Sequence, residues 1–149
     1  MSGIVAGVDG SDHSRNALGW AITESAIRRA PLTALAVNPI ASSIYGPGYE
    51  PLRFPADEEN RARIEKVTQQ LVDEALAGRD DASGLQVTVR AVSGLPADEL
   101  IKASADADLL VVGARGAGGF ARLVIGSVSE QVVHHALCPV VVVPRPQGG

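Results

Sequence analysis

The 149-residue chain has one cysteine, Cys138, so it can form neither an internal disulfide nor a cysteine-based zinc site, which fits a reducing compartment. Aromatic residues make up only 3% of it (Trp20, Tyr45, Tyr49, Phe54, Phe120), too few for a stacking platform on single-stranded nucleic acid. A basic excess is missing too: 13 Lys+Arg face 17 Asp+Glu, for a net charge of −4 and a pI of about 5.3. That excludes the broad basic field of proteins held on phosphate backbones. No apolar stretch approaches the roughly 20 residues that span a bilayer, and the start at Met1 to Asp9 lacks a basic segment followed by a long apolar run. These absences predict a soluble, cytoplasmic protein with no nucleic-acid and no membrane partner.

What is present is a 46% hydrophobic content, enough for one core and hence one domain over residues 1–149, with a disordered tail from Arg145 to Gly149. Short apolar runs alternate with longer segments of helical period, the pattern of βαβ units and a largely parallel sheet, so the fold class is α/β. Ile4 to Val8 reads as a strand that stops at Asp9-Gly10-Ser11-Asp12, a cluster of turn formers and N-cap candidates. A helix follows from about His13 to Ala30, with Ala17, Ala21, Ile22 and Ser25 inward and Arg15, Glu24 and Arg28 in water; Pro31 ends it.

Leu32 to Val37 is the second strand. Ala41 to Pro55, rich in Gly, Pro, Ser and Tyr, reads as a long loop, either a binding flap or a tolerated surface insertion. Asp57 to Leu76 is the clearest amphipathic helix, with Ile64, Val67, Leu71 and Ala75 as its inner stripe and Gly78 as its cap. Leu85 to Val92 alternates apolar and polar residues as an edge strand does, which makes it the outermost of the first three. Pro96 opens a short helix that runs to about Ala105. Leu109 to Val112, without a polar residue, is a strand buried on both faces; a helix from Ser127 to about Leu137 and a strand from Pro139 to Val143 complete the chain.

The chemistry concentrates between Gly113 and Ser129, where a glycine-dense loop leaves the buried strand and enters a helix. Ligands of open α/β sheets bind beyond the carboxyl ends of strands, where connections diverge. Glycines at 113, 116 and 126 let backbone amides approach an anion without a Cβ in the way, and Ser127 and Ser129 sit where a helix offers unpaired N–H groups. Their hydroxyls either donate to phosphate oxygens or cap the helix. The Walker lysine is missing, since Lys66 and Lys102 are the only lysines and lie on predicted helices, and no dinucleotide fingerprint follows the first strand.

The spacing Gly-x2-Gly-x9-Gly-Ser, at Gly113, Gly116, Gly126 and Ser127, resembles the ATP-binding signature of the universal stress protein family. Val8 to Ser11, Gly94-x-Pro96 and the closing Cys138 to Pro144 are similar to that family as well. The resemblance implies an open five-stranded parallel sheet in order 3-2-1-4-5 with helices on both faces, a Rossmann-like, adenine nucleotide alpha hydrolase-like fold. It implies that Asp9 and the backbone around Val37 hold adenine and ribose, and that the glycine loop with Ser127, Val128 and Ser129 takes ribose and phosphates. Arg115, between the first two glycines, either reaches ribose or phosphate or is an exposed arginine. Asp9 has a competing structural role as a cap of the first helix, for which Asp12 is the stronger candidate.

The resemblance also implies a homodimer through Val140 to Val143, an apolar edge strand that needs a cover. The function it implies is ATP-dependent regulation of the stress response, with Mg2+ or Mn2+ arriving with the phosphates. Slow ATP hydrolysis or adenylyl transfer in the same crevice, or a scaffold without nucleotide, are the alternatives, and no residue presents itself as a general base. His134 and His135, adjacent on a helix, point about 100° apart and cannot chelate one metal as an i, i+4 pair does. Arg122 pairs with phosphate or is solvated, Phe120 packs the loop, Trp20 is a core or interface residue, and Cys138 is a buried, inert thiol.

Overall fold

The computed structural model describes residues 3–39, 57–114 and 127–144. Five parallel strands form one sheet in the order β3-β2-β1-β4-β5: β1 (Ile4–Gly7), β2 (Leu32–Pro39), β3 (Val87–Gly94), β4 (Leu109–Gly113) and β5 (Val140–Val143). Four helices connect them: α1 (Asp12–Arg28), α2 (Asp57–Leu76), α3 (Pro96–Ser104) and α4 (Ser127–His135). The chain winds outward from β1 through β2 to β3, then returns to add β4 and β5 on the other side of β1. Connections therefore diverge between β1 and β4. A turn of 3-10 helix, Asp80–Ala82, leads from α2 towards β3.

The period of two along each strand sorts side chains onto two cores. Ile4, Ala6, Ala34, Leu109 and Val111 face α1 and α2, with Leu18, Ile22, Leu71 and Val72 over them. Val5, Leu35, Leu110 and Val112 face α3 and α4, under Ala97, Leu100 and Val132. The expected inner face of α1 (Ala17, Ala21, Ile22, Ser25) is buried, and Ser14 and Leu18 are buried with it.

Ser11, not Asp12, caps α1: its Oγ accepts from the Ser14 amide at 3.2 Å. Its hydroxyl reaches back to that amide from an extended N-cap conformation, whereas Asp12 already lies in the helix. The stripe of α2 differs from the expected one as well. Val67 is 46% exposed, while Thr68 is buried in its place. The Thr68 hydroxyl donates to the Ile64 carbonyl at 2.7 Å, so its burial leaves no polar group bare. α4 ends at His135, two residues early, and Ser104 Oγ accepts from the Leu137 amide just beyond it at 2.9 Å.

β3 lies at the edge, and β4 is buried along its first four residues. Asn38, at the carboxyl end of β2, donates to Asp57 Oδ1 at 2.9 Å and Ser93 Oγ at 3.2 Å, tying β2 to the start of α2 and the end of β3. No helix among the described residues is long and apolar enough to cross a membrane. The expectations for the 41 to 55 loop and for the tail from Arg145 fall outside the described residues, as do Phe120 and Arg122.

Candidate functional site

Parting connections leave a crevice at the carboxyl ends of β1 and β4. A cavity of about 210 Å³ opens there, and it gathers Asp9, Val37, Gly113, Val128 and Ser129 along one wall system. Its other lining residues include Gly7, Ser11, His13, Ser14, Leu35, Pro39, Pro96, Leu100 and Val112. Two motifs more than a hundred positions apart thus share one site. Ser127 begins α4 beside it, while Arg115, Gly116 and Gly126 lie outside the described residues.

The cavity has two chemical ends. Leu35, Val37, Pro39, Pro96 and Leu100 form an apolar lobe between the end of β2 and the first turns of α3. A planar heteroaromatic ring suits such an apolar slot. The β1–α1 turn supplies the polar end. Asp9 Oδ1 accepts from the Ser11 amide at 2.9 Å and from Ser11 Oγ at 2.5 Å, and the Asp9 amide donates to Ser14 Oγ at 3.2 Å. Asp9 therefore braces the capping serine instead of capping α1 itself.

Gly113 is glycine for a packing reason. A Cβ there would stand 2.5 Å from the His13 carbonyl oxygen and 2.9 Å from His13 Cβ, so the first turn of α1 rests directly on the end of β4. Bare peptide nitrogens for an anion are not what this position requires first. The Ser129 hydroxyl donates to the Gly113 carbonyl at 2.9 Å. It fixes where the chain leaves β4.

Two further expectations resolve away from the site. Cys138 is partly buried in the α3–α4 core; burial first, and Asp108 second, push its thiol above the ordinary value. That suits an unreactive thiol. His134 and His135 are exposed on α4, with ring centroids 6.4 Å apart, and Trp20 is half-exposed on α1. Sequence reasoning missed the apolar lobe of Leu35, Pro39, Pro96 and Leu100; Gly94-Leu95-Pro96 marked a helix start, and only the fold carries that start to the crevice.

A sequence profile described as the universal stress protein family matches residues 1–144. A universal stress protein of Mycolicibacterium smegmatis is 34% identical over 142 residues, covering 95% of this chain and 47% of the relative, so the chain spans about half the length of the curated relatives it matches. Among solved structures, universal stress protein UspA from Lactobacillus plantarum superposes with a TM-score of 0.72 at 26% identity, over 94% of this chain and 95% of that one. A universal stress protein in complex with cAMP gives a TM-score of 0.62 at 26% identity, over 94% of both chains.

Proposed function

We propose, from the premise that the chain belongs to the universal stress protein family, that it binds an adenine nucleotide, with ATP its ligand, and serves as a nucleotide-dependent regulator of the stress response in the cytoplasm. The observation that carries this reading is the convergence of Asp9, Val37, Gly113, Val128 and Ser129 on one cavity at the divergence of β1 and β4. In this reading adenine enters the apolar lobe, Val37 offers its backbone to the base, and Asp9 holds the ribose or base edge. Gly113, Arg115, Gly116, Gly126, Ser127, Val128 and Ser129 form the phosphate end. A similar protein was solved with cAMP, a smaller member of the same ligand class.

No group of three His, Cys, Asp or Glu side chains converges among the described residues, so Mg2+ or Mn2+ would be held by triphosphate oxygens and water. The protein would act as a homodimer. β5 forms one edge of the sheet, and all four of its valines are half-buried, as a strand awaiting a second strand would be.

Calorimetric titration with ATP, cAMP and GTP tests the reading. Native protein binds ATP most tightly, and Gly126→Val, which adds a branched side chain to the glycine loop, abolishes the heat while circular dichroism stays unchanged. Absence of any ATP heat from the native protein overturns it.

A further inference from the structure

Resting on the proposal of an adenine nucleotide in this cavity, we infer that His13 is a phosphate-binding residue, donating from Nε2 to a phosphate oxygen in place of the lysine the sequence lacks. Four of the described lining residues have side chains that can donate: Ser11, His13, Ser14 and Ser129. Three of these are already engaged. Ser11 Oγ donates to Asp9, Ser14 Oγ to the Ser11 carbonyl at 3.0 Å, and Ser129 Oγ to the Gly113 carbonyl. A hydroxyl has one hydrogen, so each of these must give up its present bond before it can donate to an incoming anion.

His13 is different. Its Nδ1 is buried without a hydrogen-bond partner. A neutral imidazole carries one hydrogen, and a buried bare N–H is costlier than a buried bare lone pair, which assigns that hydrogen to Nε2. Nε2 is then the one unengaged side-chain donor among the described residues of the cavity wall. Position agrees with chemistry. His13 Cβ would lie 2.9 Å from a Cβ on Gly113, so the imidazole springs from the very point where the glycine loop departs. It also sits in the first turn of the 17-residue α1, whose positive dipole end favours negative charge. Lys66 and Lys102 lie on α2 and α3, and neither lines the cavity.

Titrations of native protein, His13→Ala and His13→Gln with ATP and with adenosine provide the test. His13→Ala should weaken ATP roughly tenfold or more, the range for a hydrogen bond to a charged group, and leave adenosine unchanged. His13→Gln, which restores an amide donor, should recover most of the ATP affinity. Unchanged ATP affinity in His13→Ala overturns the inference, and so does an equal loss for ATP and adenosine. Ring nitrogen NMR on the native protein decides the matter even where the alanine variant fails to fold. ATP, and not adenosine, should move the His13 Nε2 resonance, and an unmoved resonance overturns the role. Native protein that binds no ATP overturns the nucleotide reading itself, so the two failures are distinguishable.

Discussion

The two ends of the β1–β4 strand pair are built on opposite plans. At the amino end the strands are laced to each other: the Gly3 amide donates to Asp108 Oδ2 at 3.0 Å, and the Asp108 amide returns a bond to the Gly3 carbonyl at 2.8 Å. The neighbouring turns join in, with Ile4 donating to Pro31 and Leu32 to Gln86. Here the hydrogen bonds run between connections. At the carboxyl end, bonds still join β1 to β2 (Val8 amide to the Leu35 carbonyl, 2.9 Å) and the exit of β4 to β5 (Ala114 amide to the Val143 carbonyl, 2.9 Å). The side-chain bonds beside β1 and β4, among the described residues, run Asp9–Ser11–Ser14 on one side and Ser129–Gly113 on the other. The two meet through the steric contact of His13 with Gly113. Between β1 and β4 the amino rim is sewn across, whereas walls that stand on their own can be rigid and still leave a gap for a ligand.

Gly113→Val should break the comparison most severely. It forces a branched side chain into the His13 backbone, at a cost of about 3 kcal/mol or more, because α1 must lift off β4. Chemical denaturation measures the loss. Gly10→Ala, at a site with φ of +84° and no atom within 4 Å, should cost only about 1 kcal/mol of backbone strain. A similar cost for the two would mean that α1 does not rest on β4 as described.

Ser129→Ala comes next. It leaves the Gly113 carbonyl without its donor, so stability should fall by roughly 1–2 kcal/mol and ATP affinity with it, while Ser129→Thr keeps both. Asp108→Ala should also cost about 1 kcal/mol, since it removes one of the two bonds that lace the amino rim. Nucleotide affinity should not change, because Asp108 lies at the far end of the strand.

The smallest effect concerns the 3-10 turn. Arg79 donates to the Gly19 carbonyl, to Thr23 Oγ1 at 2.7 Å and to Asp81, and its hydrogen bond is the main reason the Asp81 carboxyl titrates below the ordinary value. A group with a lowered folded pKa contributes stability that is present above the unfolded carboxylate value, about 3.9, and is lost as pH falls through the lower folded value. The melting-temperature gap between native protein and Arg79→Ala should therefore be widest near neutral pH and narrow below pH 4. A gap that widens on acidification contradicts the assignment.

Much of the fold was legible because it rests on periodicity. The unbroken Leu109 to Val112 run implied a strand covered on both faces, and the bounds of α2 at Asp57 and Leu76 followed from its stripe. Strand order was legible through the resemblance and not through any pattern in the residues. The differences have a common physical origin: small polar residues whose partners are invisible in one dimension. Thr68 is buried because it bonds its own helix, and Ser11 caps because Asp9 holds it in place. At the site, the glycine spacing suggested an open approach for an anion at Gly113, and the fold gives that glycine a packing reason. Gly113 answers to His13, a neighbour that the fold supplies from a hundred positions away.

Amide NMR during an ATP titration tests the central claim most directly. The account predicts shifts concentrated at Asp9, Ser11, His13, Val37, Gly113, Val128 and Ser129, with Gly3, Gln86 and Asp108 unmoved. Shifts centred on the laced amino rim, or a spectrum unchanged at millimolar ATP, would contradict it.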